Sequence, residues 1–263
     1  MRAFLFYRII CIVILVSVGC LFIPFTASAA DNDWQFKAEA YGWLPEIEGT
    51  LPNDDDIEIT LDDILDNLDF TFMGGLMAKK DKWSIVSDVV YLKLSADDGG
   101  TKVIDPKPGN PFIISTKVDI GVEMETWIVN LAGSYSIYQT DKHDVQLLAG
   151  ARYFWLEVDA ELDTSIIPAD GILVSGRDDV WDGIVGVKGV SKLSDKWMLN
   201  YRFDIGGGGS DQTWNAVAQF GYQYDWGNLV VGYRYLHYDF DSDFKLMKDL
   251  DVHGPLIGVL WEF

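Results

Sequence analysis

The stretch Asp251-Val252-His253-Gly254-Pro255-Leu256-Ile257-Gly258-Val259-Leu260-Trp261-Glu262-Phe263 decides the fold. Read back from Phe263 by twos, it gives Trp261, Val259 and Ile257, an unbroken apolar series. Successive side chains of a strand point to opposite faces, so one face of this strand is a greasy stripe. The other face carries Glu262, Leu260, Gly258, Leu256 and Gly254, which are smaller or more polar. Soluble sandwiches also end on such strands. The rest of the chain has to show whether the stripe faces protein or lipid.

Residues 1–30 read as a cleaved secretory signal peptide. Arg2 and Arg8 supply the positive start, Ile9 to Phe22 an apolar run, and Ala27-Ser28-Ala29 a small-x-small cleavage site. The run is short for a transmembrane helix. An uncleaved anchor is the competing reading. Lipidation at Cys20 is a weaker one, because Ser17 stands where a lipobox wants Leu. Cleavage removes Cys11 and Cys20, so the mature chain has no thiol for a disulfide, a metal or a nucleophile. Residues 31–263 are then one domain. It has no second long apolar run, yet it holds all ten tryptophans. In lipid only helices and closed barrels satisfy the backbone. An exported, Trp-rich chain without helical spans therefore points to a barrel.

Charge narrows the partners. Losing Arg2 and Arg8 leaves 18 basic against 41 acidic residues, a formal charge of −23. That excludes nucleic acid as a natural partner. It also predicts repulsion from lipopolysaccharide phosphates unless divalent cations bridge them.

Ten strands follow from the alternation, at about 34–43, 69–79, 83–95, 116–138, 145–162, 180–190, 197–205, 212–224, 228–239 and 251–263. In the first, Trp34, Phe36, Ala38 and Ala40 alternate with Gln35, Lys37 and Glu39. Apolar side chains out and polar side chains in is the pattern of a transmembrane barrel. The fold class is thus all-β: an antiparallel up-and-down transmembrane barrel with short turns on the periplasmic side and five longer connections outside. Twelve strands is the alternative count, if residues 112–126 form a strand of their own. The hairpin of 116–138 and 145–162 sets Trp127 opposite Trp155. Its upper halves, with Glu123, Glu125, Glu157, Asp159 and Glu161, stand beyond the membrane as a ribbon.

The tryptophans sort by height. Trp34, Trp83, Trp197, Trp226 and Trp261 fall at the periplasmic ends of strands. Trp43, Trp127, Trp155, Trp181 and Trp214 fall at the outer ends. Trp prefers the interface, where its ring is buried and its N–H finds a partner. A soluble sandwich has no reason for this sorting. Among the loops, 44–67 is acidic, but Leu61, Ile64, Leu65 and Leu68 lie at helical spacing. Thr60 with Asp63 forms a capping box with Asp in place of Glu. A short helix is expected there, either packed over the loops or acting as a plug at the barrel mouth. Residues 96–115, with Asp97-Asp98-Gly99-Gly100, Pro106, Pro108 and Pro111, read as a loop, as do 163–179 and 240–250.

Nine charges fall in the inward phase: Lys37, Glu39, Asp88, Arg152, Asp182, Lys188, Arg202, Asp204 and Arg234. An unpaired buried charge is costly, so opposite signs in a narrow lumen should pair. They make either a salt-bridged filling or a constricted path for small solutes. Ten strands lie near the limit at which side chains fill the interior, well short of a porin. His237 and His253, beside Asp239, Asp241 and Asp251, form the only constellation suited to acid–base work. Their parity with outward Tyr235 and Ile257 sets them toward the lipid interface. His143 falls in a periplasmic turn. No cofactor is expected. The acidic runs Asp54 to Asp56, Asp62-Asp63, Asp97-Asp98, Asp178-Asp179 and Asp241/Asp243 allow at most weak divalent-cation binding, since no EF-hand spacing is present.

Several segments carry a family resemblance: ITLDDILDNLDFTFMGG (59–75), SDVVYLKLS (87–95), GGGGSDQTWN (206–215), GYRYL (232–236) and GPLIGVLWEF (254–263). The chain resembles a family of uncharacterised Gram-negative (proteobacterial) outer-membrane β-barrel proteins. The resemblance covers most of 34–263 and implies outer-membrane location. It also implies contact with lipid and lipopolysaccharide, and Phe263 as the signal read by the barrel-assembly machinery. It assigns no catalytic residue. Its expected role is a narrow small-solute channel or a structural, loop-presenting barrel. The alternative is a hydrolase similar to the ten-stranded omptins, with rim carboxylates and His.

Overall fold

Strands with two unlike faces form a sheet that, in lipid, must close on itself, because an open edge leaves backbone groups unpaired. The computed structural model, which describes residues 34–104, 114–164 and 172–263, is such a closed sheet. The leader over 1–30 and the three prolines of the second loop lie outside the described residues.

The strands are β1 (Trp34–Trp43), β2 (Glu46–Thr50), β3 (Asp56–Ile59), β4 (Leu68–Lys80), β5 (Trp83–Ile104) and β6 (Ile114–Gln139). The chain continues with β7 (His143–Thr164), β8 (Ile172–Lys192), β9 (Trp197–Gly208), β10 (Gln212–Tyr224), β11 (Gly227–Asp239) and β12 (Asp249–Glu262). One helix, α1 (Leu61–Asp66), lies between β3 and β4. Ten strands, β1 and β4 to β12, pair antiparallel in chain order, and β12 returns to β1. The seam runs from Lys37↔Glu262 to Trp43↔Leu256. Phe263 and Phe36 extend it with two backbone hydrogen bonds of 3.2 and 2.9 Å.

Two strands beyond ten exist, but not where the sequence suggested. From Ile114 onward, the segment 112–126 is the upper part of β6, in continuous register with β5 and, from Val118, with β7. The extra pair is the β2–β3 hairpin, inside what reads as a loop. β12 outlasts β1, and β2 takes over its upper half, from His253↔Glu46 to Asp249↔Thr50. Pro45 marks the handover, because it has no N–H for the ladder. Ile47 is buried, and Ile57 and Ile59 pack against the same core, so the hairpin is held by apolar contact as well as by the ladder.

β5 and β8 also overrun their expected ends. Residues 96–104 and 172–179 read as loop, yet they pair residue by residue with β6 and β7. Ladder bonds are made by the backbone, so a paired neighbour overrides local Asp and Gly propensity. β6 has 26 residues, more than twice the roughly ten that a tilted strand needs to cross a bilayer. A four-stranded ribbon thus continues beyond the barrel at its long-loop end.

α1 is capped as the sequence implies. The Asp63 N–H donates to Thr60 Oγ1 (3.3 Å), and the Thr60 N–H donates to the Asp63 carboxylate (3.0 Å). The plug stripe is only partly realised. Ile64 is buried, but Leu65 is 52% exposed, Leu61 is half-buried, and Leu68 belongs to β4. Six residues are under two turns, too few to hold four side chains on one face.

The larger apolar filling was not anticipated. At the long-loop end the inward phase of the strands is apolar, with Leu92, Leu94, Ile128, Phe154, Leu156 and Leu236 buried there. The segment between β11 and β12 folds down onto them. Phe240 stacks on Phe244 at 4.0 Å, and both rings meet Phe154, at 5.5 and 6.1 Å.

Trp34, Trp83, Trp181, Trp197 and Trp226 are exposed. Outward rings pair across strands, as in Tyr91–Trp127 (4.4 Å), Tyr153–Trp181 (4.7 Å) and Trp214–Tyr235 (4.7 Å). Trp127 and Trp155 are directly opposite. Trp43 is a correction. It shares the phase of Lys37 and Glu39, is 3% exposed, and lies under the Arg234 guanidinium at 4.7 Å from its ring centre. Its place at a strand end suggested a girdle residue, but parity sends it inward.

Two measurements check these placements. In bilayers of brominated lipid, Trp43→Phe should leave the quenched fraction of emission no smaller, while Trp214→Phe lowers it. Equal losses would remove Trp43 from the interior. Hydrogen bonds from the Thr60 hydroxyl and backbone hold the Asp63 carboxyl below the usual carboxylate range. The cap is therefore complete above the ordinary carboxylate value of about 4 and is lost as pH falls through the lowered one. Amide exchange at Asp63 and Ile64, corrected for intrinsic rate, should accelerate only in strong acid.

Candidate functional site

Arg152 on β7 has no exposed surface. A buried guanidinium is tolerated only when its donors are met. Nε donates to Asn130 Oδ1 (2.7 Å), Nη1 to Thr213 Oγ1 (2.9 Å), and Nη2 to the Asp204 carboxylate. Asn130 passes the chain on to Asp88 Oδ1 at 3.1 Å. Arg234 donates to the same oxygen (3.1 Å) and to Asn215 Oδ1 (3.0 Å). Asn215 Nδ2 returns to Asp204 at 3.2 Å. Six side chains from β5, β6, β7, β9, β10 and β11 thus form a closed hydrogen-bonded circuit across the lumen. Two Arg and two Asp make it formally neutral. Tyr41 adds a 2.5 Å bond to Asp88, and Arg202 a 2.6 Å bond to Asp204.

The other inward charges lie outside the circuit. Lys37 pairs with Glu262 across the seam at 2.8 Å. The Glu39 carboxylate accepts from Gln219 at 2.7 Å. Asp182 accepts the Gly209 and Ser210 N–H groups at 3.0 and 2.9 Å and so anchors the glycine turn rather than a charge. At Gly208 that turn has φ of +145°, which an L side chain rarely adopts. Lys188 touches Met77 Sδ at 3.3 Å and makes no ion pair among the described residues. One pair was missed: buried Lys79 meets Asp144 at 2.5 Å. Its signal was available, since Lys79 shares the inward phase of Met73 and Met77.

Below the circuit, toward the short-turn end, is a cavity of about 540 Å³. Its wall includes the strand ends at Gln35 and Glu262 and the turn from Gln139 to Asp144. The interior therefore has three levels: an apolar seal, a charged circuit, and a polar cavity open at one end.

The histidines lie elsewhere. His237 Nδ1 is 2.8 Å from Asp251, and its ring stacks on outward Trp214 at 5.7 Å. His253 stacks on Tyr235 at 5.0 Å and reaches Glu48 at 3.6 Å. His143 Nδ1 meets Ser191 Oγ at 3.1 Å. In the acidic loops Asp54 pairs with Lys248, Asp56 accepts from Thr50, and Asp178 accepts the Lys245 N–H. Among the described residues, no three or more His, Cys, Asp or Glu side chains are grouped to hold a metal ion.

No family model matches the sequence. No curated protein matches it either. Solved structures with a similar course of chain include three from Gram-negative bacteria. The translocator domain of the autotransporter NalP from Neisseria meningitidis is 11% identical over 97% of this chain and 98% of its own, with a TM-score of 0.43. The outer membrane protease OmpT from Escherichia coli is 10% identical over 90% of this chain and 99% of its own, with a TM-score of 0.49. The attachment invasion locus protein Ail of Yersinia pestis is 9% identical over 88% of this chain and 98% of its own, with a TM-score of 0.38.

The circuit predicts an asymmetry in stability. Asp204→Ala strands Arg152 without a counter-charge and should cost about 3–5 kcal/mol in urea unfolding. Lys248→Ala, which breaks a solvent-exposed pair, should cost under about 1 kcal/mol. Similar losses would mean that the circuit does not hold the barrel together.

Proposed function

We propose that the chain is an integral outer-membrane barrel, shut at its extracellular end, that acts by presenting its outer sheet and loops rather than by conducting solutes. The short-turn end faces the periplasm and the ribbon of β5 to β8 faces outward. Lipid contacts the apolar belt, lipopolysaccharide contacts the outer rim, and Phe263 addresses the chain to the assembly machinery. The single observation that carries the closed reading is the aromatic seal of Phe154, Tyr238, Phe240 and Phe244. An ion crossing it would surrender its hydration to apolar side chains, at a cost no single polar contact there repays. The rival reading is a surface hydrolase, whose best support is the His237–Asp251 pair. The His237 ring is stacked on Trp214, and neither residue of the pair lines the cavity.

Conductance of the refolded mature protein in planar bilayers is the test. The wild type should show no steady current. Replacing residues 60–67 by a Gly/Ser linker should keep it silent, because α1 contributes only Ile64 to the buried core among its six residues. Phe240→Ala with Phe244→Ala should produce intermittent openings. Steady current in the wild type would overturn the proposal.

A further inference from the structure

The cavity wall runs against the sign of the chain. The protein carries a formal charge of −21, yet seven basic and five acidic side chains line the cavity. The acids are largely engaged. Asp88 is held by Arg234, Asp144 by Lys79, Glu262 by Lys37, and Glu39 by Gln219. Asp141 lies out in the turn.

The unmatched positive charge gathers on one wall. Lys188 of β8 and Arg202 of β9 are direct cross-strand neighbours. Like charges so placed destabilise a sheet. Arg202 shares Asp204 with Arg152, so one carboxylate serves two guanidiniums. Its Nη2 is buried and has no hydrogen-bond partner among the described residues. Nδ2 of Asn200, two residues along the same strand and on the same wall, is likewise buried and unpartnered. The Lys188 ammonium leans on a methionine sulfur, a weak acceptor. Two cations and an amide thus stand together with unspent donors. Water could accept hydrogen bonds from them but could not offset their charge.

We propose that this wall binds a small, multiply charged oxyanion of the phosphate or dicarboxylate class, between Lys188 and Arg202 with Asn200 as a third donor. The planar fork of Arg suits two oxygens of such an anion, and Lys supplies a point charge. Cations are repelled, and apolar solutes would leave the donors unmet. Ten strands wall the cavity off from the bilayer, so the occupant is a soluble anion and not a lipid headgroup. The site does not depend on whether the barrel conducts, because the cavity reaches the short-turn end.

The test is calorimetric titration of the refolded mature protein in zwitterionic detergent with inorganic phosphate and with succinate, using chloride at equal ionic strength as control. At least one oxyanion should bind saturably and raise the unfolding midpoint with concentration. Lys188→Met and Arg202→Gln should each weaken binding about tenfold or more, while Lys196→Met, outside the cavity, leaves it unchanged. Heat-modifiable gel mobility reports whether each variant is folded, and Lys188→Gln replaces Lys188→Met if the latter is not. Three results would overturn the proposal: no saturable binding of either probe, the same response to chloride, or wild-type affinity in the folded Lys188 and Arg202 variants.

Discussion

One carboxylate carries the interior of this barrel. Asp204 receives Arg152 from β7 and Arg202 from its own strand, and Asn215 from β10. Arg152 has no access to solvent, so the barrel can form only in a register that delivers Asp204 to it. A slip of one residue in either strand would turn one partner to the lipid side. The apolar outer stripe imposes the same phase from the other face. The apolar outer stripe and the charged circuit therefore specify one register from opposite faces of the same sheet, and neither face can be satisfied alone.

From that belt the interior divides by height, for a physical reason. A lumen of ten strands is too narrow for bulk water yet too wide for its own short side chains to fill. At the long-loop end the gap is filled by a segment from outside the ladder, with Phe240 and Phe244 laid over Phe154. At the short-turn end no described residue folds in, since the turns there are brief. Polar side chains remain along the wall, and a cavity stays open. The asymmetry of loop length thus becomes an asymmetry of lumen chemistry.

Much of this was legible in the residues, and the misses share a cause. Outward parity, the Trp127–Trp155 pairing, the Thr60–Asp63 cap and the inward charges all follow from local period or spacing, which a strand or helix obeys by itself. The β2–β3 hairpin does not. Ile47, Ile57 and Ile59 form a strand pair only because β12 offers an edge above Pro45. Likewise Asp97-Asp98-Gly99-Gly100 becomes ladder only because β6 runs beside it. Phe240 and Phe244 looked like two apolar residues in an acidic loop, and their value appears only once Phe154 stands beneath them. Trp43 is different. Its parity was readable and pointed inward, but its position at a strand end was given more weight.

The belt also accounts for where the unmatched charge lies. Two arginines and two aspartates close a neutral circuit, so a further cation drawn to Asp204 has no acid left. Arg202 is that cation, and Lys188 opposite adds a second. Had the surplus been a fault of packing, the apolar outer half would be the costliest place for it. It lines the cavity at the short-turn end instead. The rigid circuit above and the solvent-facing wall below thus divide the work. One fixes the barrel by pairing charges internally, and the other leaves charge unpaired where a soluble partner can complete it.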